Sequence, residues 1–125
     1  MTHSFASIFD IRNRIDFPRN VVIIVATMQF EWDENKNTEN VRKHGLDFAD
    51  TWQVFRNPVF VKLDDCEDYG EDRWIGIGMM SNGIVVVFIF TETDQEMVRI
   101  ISMRKATKNE RTRYEKAIKD ELGKA

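Results

Sequence analysis

Cysteine is all but missing from this sequence. Cys66 stands alone among 125 residues, so no disulfide can form within the chain. With only two histidines, His3 and His44, the donors of an ordinary zinc site are lacking as well. A lone thiol beside six methionines points to a reducing, cytoplasmic setting. Proline is nearly as scarce, with two residues, Pro18 and Pro58. At 42% apolar and 31% charged residues, the composition is that of a folded domain and not a disordered tail. No apolar run approaches the roughly 20 residues that cross a bilayer. The 21–26 run, Val-Val-Ile-Ile-Val-Ala, is too short for a secretory core and follows acidic Asp10 and Asp16, so neither a membrane partner nor a signal peptide is expected. Repeats and low-complexity tracts are absent. The length suits one domain with a single core.

Two motifs invite a sharper reading than they support. Six acids lie between Asp64 and Asp72 with no base among them, but not in the order of a calcium loop. An acidic hairpin loop is the expectation, and no metal site. Gly76 and Gly78 give a G-x-G without the third glycine or the following helix of a nucleotide loop. In a strand, such glycines let a neighbour pack closely.

What the chain does have is segregated charge. Its formal charge is −3, yet from Arg104 to Lys119 there are seven basic residues against two acidic ones. Such a run is either a solvated helix face or the footprint of an anionic partner. Position favours the partner. Met97–Met103 is β-branched and apolar, with Arg99 set into it, and reads as a strand. Thr107 followed by Glu110 makes a capping box that opens a helix. Arg104 and Lys105 therefore occupy a strand-to-helix corner, where side chains leave the core and face a cleft.

The remaining elements follow in order. Residues 1–27 are expected to be an N-terminal extension ahead of a natural start at Met28, with residues 21–26 at most an added edge strand. The domain proper is then 28–122. Gln29–Trp32 alternates polar and aromatic residues, a short strand. Asp33 caps a helix over 34–44 that Gly45 ends. That helix has one aliphatic residue, Val41, so Trp32 and Leu46 are expected to anchor it. Lys36, Asn40 and Lys43 recur at helical spacing, with His44 four residues after Asn40. This stripe is either solvated or the wall of a cleft. A second helix is expected from Asp47, with Phe48, Trp52 and Phe55 facing the core and Asn57-Pro58 ending it. Strands are expected at 59–63, 73–79, 84–90 and 97–103. Their hairpin-length connections impose an antiparallel meander, since parallel neighbours need crossovers of about a dozen residues. The fold class is α+β: a four- to five-stranded, mainly antiparallel sheet with two N-terminal helices and one C-terminal helix.

From Met28 to Lys116 the sequence resembles the BrnT toxins. The likeness is carried by Phe30-Glu31-Trp32-Asp33, Lys36, Asn40, Lys43-His44-Gly45, Phe48-Ala49, Asp72-Arg73, Ile77-Gly78, Arg99-Ile100-Ile101-Ser102, Arg104, Ala106, Glu110-Arg111 and Tyr114. The resemblance implies a small RelE-like ribonuclease domain that cuts RNA and blocks translation. It also implies a ribbon-helix-helix, BrnA-like antitoxin that neutralises the toxin, and contact with operator DNA only through that antitoxin. Where the family pattern has an arginine pair, this chain has Arg104-Lys105. Lysine keeps the charge and loses the planar fork.

RNA can be cut without a cofactor when its own 2′-OH attacks the adjacent phosphate, provided that protons are moved and the pentavalent oxyanion is stabilised. Arg104, Lys105 and Arg73 are the expected phosphate contacts, and Arg99 is a lesser candidate. Arg99 and Arg104 face opposite sides if the strand stays regular past Met103, so a bulge or an early strand end is needed for both to share a cleft. His44 is the acid–base candidate, histidine having an unperturbed pKa of about 6.5, and Lys43 is the alternative. Lys36, Asn40, Lys108, Arg111 and Tyr114 are the further RNA contacts, Tyr114 as a stacking surface or proton donor. The competing class is a non-catalytic RNA- or antitoxin-binding module using the same basic corner. A metal-dependent nuclease ranks third.

Overall fold

Short connections and one long return decide the topology. The computed structural model describes residues 21–22, 29–64, 70–93 and 97–122. Their elements are β1 (Val21–Val22), β2 (Gln29–Trp32), α1 (Glu34–His44), a 3₁₀ segment (Phe48–Arg56), β3 (Val59–Asp64), β4 (Arg73–Met79), β5 (Val85–Glu92), β6 (Met97–Lys105) and α2 (Lys108–Leu122). The strands form one sheet in the order β1-β3-β4-β5-β6-β2. The β3-to-β6 meander is antiparallel throughout. Only β2 runs parallel to its neighbour, β6, because α1 and the strands after it carry the chain across the sheet before β6 arrives. Val21 and Val22 add a two-residue strand at the opposite edge, against β3, so the sheet has six strands where four or five were expected. The rest of residues 1–27 and most of the acidic 64–72 loop lie outside the described residues. No described helix is long and apolar enough to cross a membrane.

The core sits on one face of the sheet. Val59, Val61, Val86, Phe88, Phe90, Val98, Ile100 and Met103 pack there against Phe48, Val54 and Phe55. Phe30, Phe55, Phe88 and Phe90 form a chain of ring contacts 5.3–5.7 Å between centroids. The β4 glycines make room for this layer: a Cβ on Gly76 would lie 2.6 Å from Cζ of Phe88, and one on Gly78 would lie 3.0 Å from Cβ of Val54.

Two expectations about the helices are corrected. The segment after Asp47 is a 3₁₀ helix, which has three residues per turn and not 3.6. Phe48, Thr51 and Val54 therefore face inward with Phe55, while Trp52 turns out to 44% exposure under the Arg56 guanidinium, 5.1 Å from the ring centre. Local hydrogen bonds tighten the winding: Ala49 N–H donates to the Asp47 carboxylate, and Thr51 Oγ1 donates to the Phe48 carbonyl. The second correction concerns α1. Val41 is exposed, and the helix docks through buried Asn37 and Asn40. Asn37 donates to Asp47 Oδ1 and accepts from Phe48 N–H. Asn40 donates to the Leu46 carbonyl and accepts from Met103 N–H. That second bond fills a gap. The register of β2 on β6 ends at Trp32↔Ile100, so beyond Ile100 the outer side of β6 has lost its partner strand. The Asn40 carboxamide supplies the missing acceptor.

Candidate functional site

The caps expected from the sequence fix where α1 ends and α2 begins. Asp33 accepts from Lys36 N–H, and Gly45 takes the left-handed conformation at φ 69° and donates to the Val41 carbonyl. This stops α1 with Lys43 and His44 on its last turn, where cations meet the negative end of the helix dipole. At the other corner Thr107 and Glu110 bond reciprocally, Thr107 N–H to Glu110 Oε1 and Glu110 N–H to Thr107 Oγ1. Asn40, three residues before Lys43, ties α1 to Met103, and Arg104 is the next residue of β6. The two corners are thereby held side by side. Lys43, His44, Arg104, Lys105 and Thr107 line a single open hollow of about 480 Å³.

Arg104 is the best-held cation in the hollow. Its Nη1 and Nη2 donate to the two Glu110 carboxylate oxygens at 2.8 and 3.0 Å, and Nη1 also reaches the Lys105 carbonyl at 3.3 Å. The Arg104 bond and the Thr107 N–H together hold the Glu110 carboxyl down at about 2, and the same carboxylate raises the Arg104 guanidinium above its ordinary range. Of the five guanidinium N–H groups, those on Nε and one on Nη2 remain for a ligand among the bonds described. Nothing in the sequence marked Glu110 as the partner of Arg104. A separation of six residues across a strand–helix corner belongs to no periodic pattern.

Of the two ways in which Arg99 and Arg104 could share a face, the structure has the bulge. Val87↔Arg104 and Ile89↔Ser102 give way to Phe90↔Ile100, which leaves Ile101 as the extra residue of β6. Arg99 then stands opposite Thr91 and Arg104 opposite Val87, so both project from the face of the sheet away from the core. Sharing a face does not bring them together. Arg99 is paired with Glu31 at 2.7 Å. Arg73 pairs with Glu71 at 3.3 Å and lies four residues along β4 from Ile77, the residue in register with Val87. At the ordinary strand rise that is roughly 13 Å from the row containing Arg104. The expectation that Arg73 and Arg104 meet in one cleft is corrected accordingly: Arg104 faces the end of α1, and Arg73 sits toward the other end of the sheet with Arg99.

Two further candidates are structural. Asn40 is 7% exposed with both ends of its amide occupied inside the fold, so it is not a surface contact for RNA. Tyr114 is 4% exposed, packs edge-on against Phe60 at 5.7 Å, and donates its hydroxyl to the Pro58 carbonyl. Burial pushes its phenol up to about 12. It offers neither a stacking surface nor a proton at neutral pH; its position in α2 is that of the side chain pinning the helix to the sheet. Lys36, Lys108 and Arg111 are exposed and outside the hollow, with Arg111 paired to Glu115 at 3.0 Å.

Comparison with known proteins bears on the chain as a whole. The comparison with curated proteins gave no match. The 1.1 Å crystal structure of the Brucella abortus ribonuclease toxin BrnT matches with 34% sequence identity and a TM-score of 0.51, over 66% of this chain and 100% of that one. The family described as "Ribonuclease toxin, BrnT, of type II toxin-antitoxin system" matches residues 32–110, which run from the end of β2 through the Glu110 cap. The chain belongs to the BrnT family of ribonuclease toxins of type II toxin–antitoxin systems.

Proposed function

We propose that this protein is a metal-independent endoribonuclease that blocks translation by cutting RNA at the hollow between α1 and the β6–α2 corner. The observation that carries the reading is the convergence of Lys43, His44, Arg104 and Lys105, from two distant parts of the chain, on one open hollow. In this reaction the 2′-oxygen of one nucleotide bonds to its own 3′-phosphorus, and the bond to the next nucleotide's O5′ breaks. The products are a 2′,3′-cyclic phosphate and a free 5′-hydroxyl. One proton must leave the 2′-OH and one must reach O5′. His44 is the group assigned to this transfer, since imidazole can both take and give a proton near neutrality, and Lys43 is the alternative. Arg104 and Lys105 stabilise the charge on the pentavalent phosphorus, Arg104 through the N–H groups that Glu110 leaves open. We assign the activity to residues 28–122, a RelE-like unit that contains the whole matched span. We further propose that a ribbon-helix-helix antitoxin holds it in check and alone mediates contact with operator DNA.

The test is purified protein, free of antitoxin, incubated with RNA in EDTA. RNA is expected to be cut, and Arg104→Ala to lower the rate by two or more orders of magnitude, the scale for losing one oxyanion donor. His44→Ala should flatten the pH–rate profile. Burial of Tyr114 removes one of the candidate proton carriers, which favours a non-catalytic RNA- or antitoxin-binding module as the second reading. RNA that binds but stays intact would establish that reading.

A further inference from the structure

Arg104 borders a second depression that the basic hollow does not explain. Two cross-strand rows project from the face opposite the core: Phe60, Ile77, Val87 and Arg104, then Lys62, Ile75, Ile89 and Ser102. α2 covers only part of this face, because Tyr114 is its one fully buried residue among those described. Between the helix and the sheet lies a groove of about 410 Å³. Its floor is apolar, built from Phe60, Ile75, Ile77 and Val87. Its rim carries two exposed cations, Lys62 from β3 and Arg113 from α2, and one end is closed by Arg104 paired with Glu110.

We propose that this groove holds the base of the nucleotide adjoining the phosphate engaged at Arg104, with Lys62 and Arg113 meeting the phosphate on the far side of that base. The inference rests on the ribonuclease reading of the neighbouring hollow and extends it to the substrate. Three features select a nucleotide. An apolar floor with cations on its rim matches a flat base carried on a charged backbone, the combination by which single strands are bound. The volume is that of a small-molecule site, whereas a docked helix 10–12 Å across needs a longer trough. The shared Arg104 makes base and phosphate neighbours, as they are along the chain.

The groove floor supplies its own reporters. In full-length protein labelled at the Ile and Val methyls, a five-nucleotide single strand carrying 2′-O-methyl groups, which cannot be cut, is titrated in and followed by NMR. The methyls of Ile75, Ile77 and Val87 are expected to shift under the ring current of the base. A strand of equal charge lacking the base at one position should lose that shift and bind roughly 5- to 100-fold more weakly, the range for one stacked base. Ala117→Trp, which fills the groove from α2, should weaken the intact strand similarly while leaving the abasic strand unchanged. Unmoved methyls, or equal binding of intact and abasic strands, would overturn the inference. So would methyls that answer to the antitoxin and not to the oligonucleotide. The two readings fail separately: RNA cut in an Arg104-dependent way with silent methyls removes the groove alone. Shifted methyls on a protein that never cuts RNA keep the groove and remove the nuclease.

Discussion

Asn40 is the residue whose loss should cost the fold most for its size. Its carboxamide joins the Leu46 carbonyl at 3.0 Å and the Met103 N–H at 3.2 Å, in a site 7% exposed. Asn40→Leu keeps the bulk and strands both backbone groups. An unmet buried donor or acceptor costs about 1–3 kcal/mol, so the pair predicts a loss of about 2–6 kcal/mol, a large share of a domain stability of about 5–15 kcal/mol. Urea unfolding reads this directly as a lower midpoint at unchanged slope. Asn40→Asp sharpens the test. It keeps the acceptor for Met103 but sets a carboxylate oxygen against the Leu46 carbonyl, so it should be destabilised at neutral pH and partly recover when acid protonates the side chain. A loss within about 0.5 kcal/mol for Asn40→Leu, the range of an ordinary surface change, would refute the claim that this amide seats α1 on β6.

Other substitutions probe other parts of the argument. Gly76→Ala sets a methyl 2.6 Å from the ring of fully buried Phe88, and overpacking of this kind should cost about 1–3 kcal/mol in thermal or urea unfolding. Tyr114→Phe leaves the Pro58 carbonyl without its donor and should cost about 1 kcal/mol with the RNA cleavage rate intact; a collapse in rate would restore the tyrosine as a proton donor. Glu110 predicts an acid dependence. Its carboxyl is held at about 2 against an ordinary 4.5, a depressed folded value, so the stability it contributes is present above about pH 4.5 and is lost as pH falls toward 2. Unfolding midpoints measured across that window should fall more steeply for the native chain than for Glu110→Gln.

The parts of this fold that were legible in the sequence are those set by short-range chemistry. Asp33, Gly45 and the Thr107–Glu110 box each act within a few residues, and α1 and the start of α2 lie where those caps place them. The meander was legible because short connections admit only antiparallel neighbours. Arg104 and Lys105 were recognisable as corner residues for the same local reason. Tertiary structure decided the rest. Phe48, Trp52 and Phe55 fit an α-helical stripe, whereas the 3₁₀ winding buries Thr51 and Val54 and turns Trp52 outward. Asn40 reads as polar and exposed in any single-chain pattern. It is buried because β2 stops at Trp32 and leaves Met103 needing an acceptor, a need that arises between segments 63 residues apart. The bulge at Ile101 is a matter of register between two strands, so the face that Arg99 and Arg104 share was a condition the sequence could state but not resolve. The sequence thus determined which cations this protein owns and the corners they stand on. Long-range pairing decided which of them meet, because a cap is closed by neighbours in the chain and a hollow by neighbours in space.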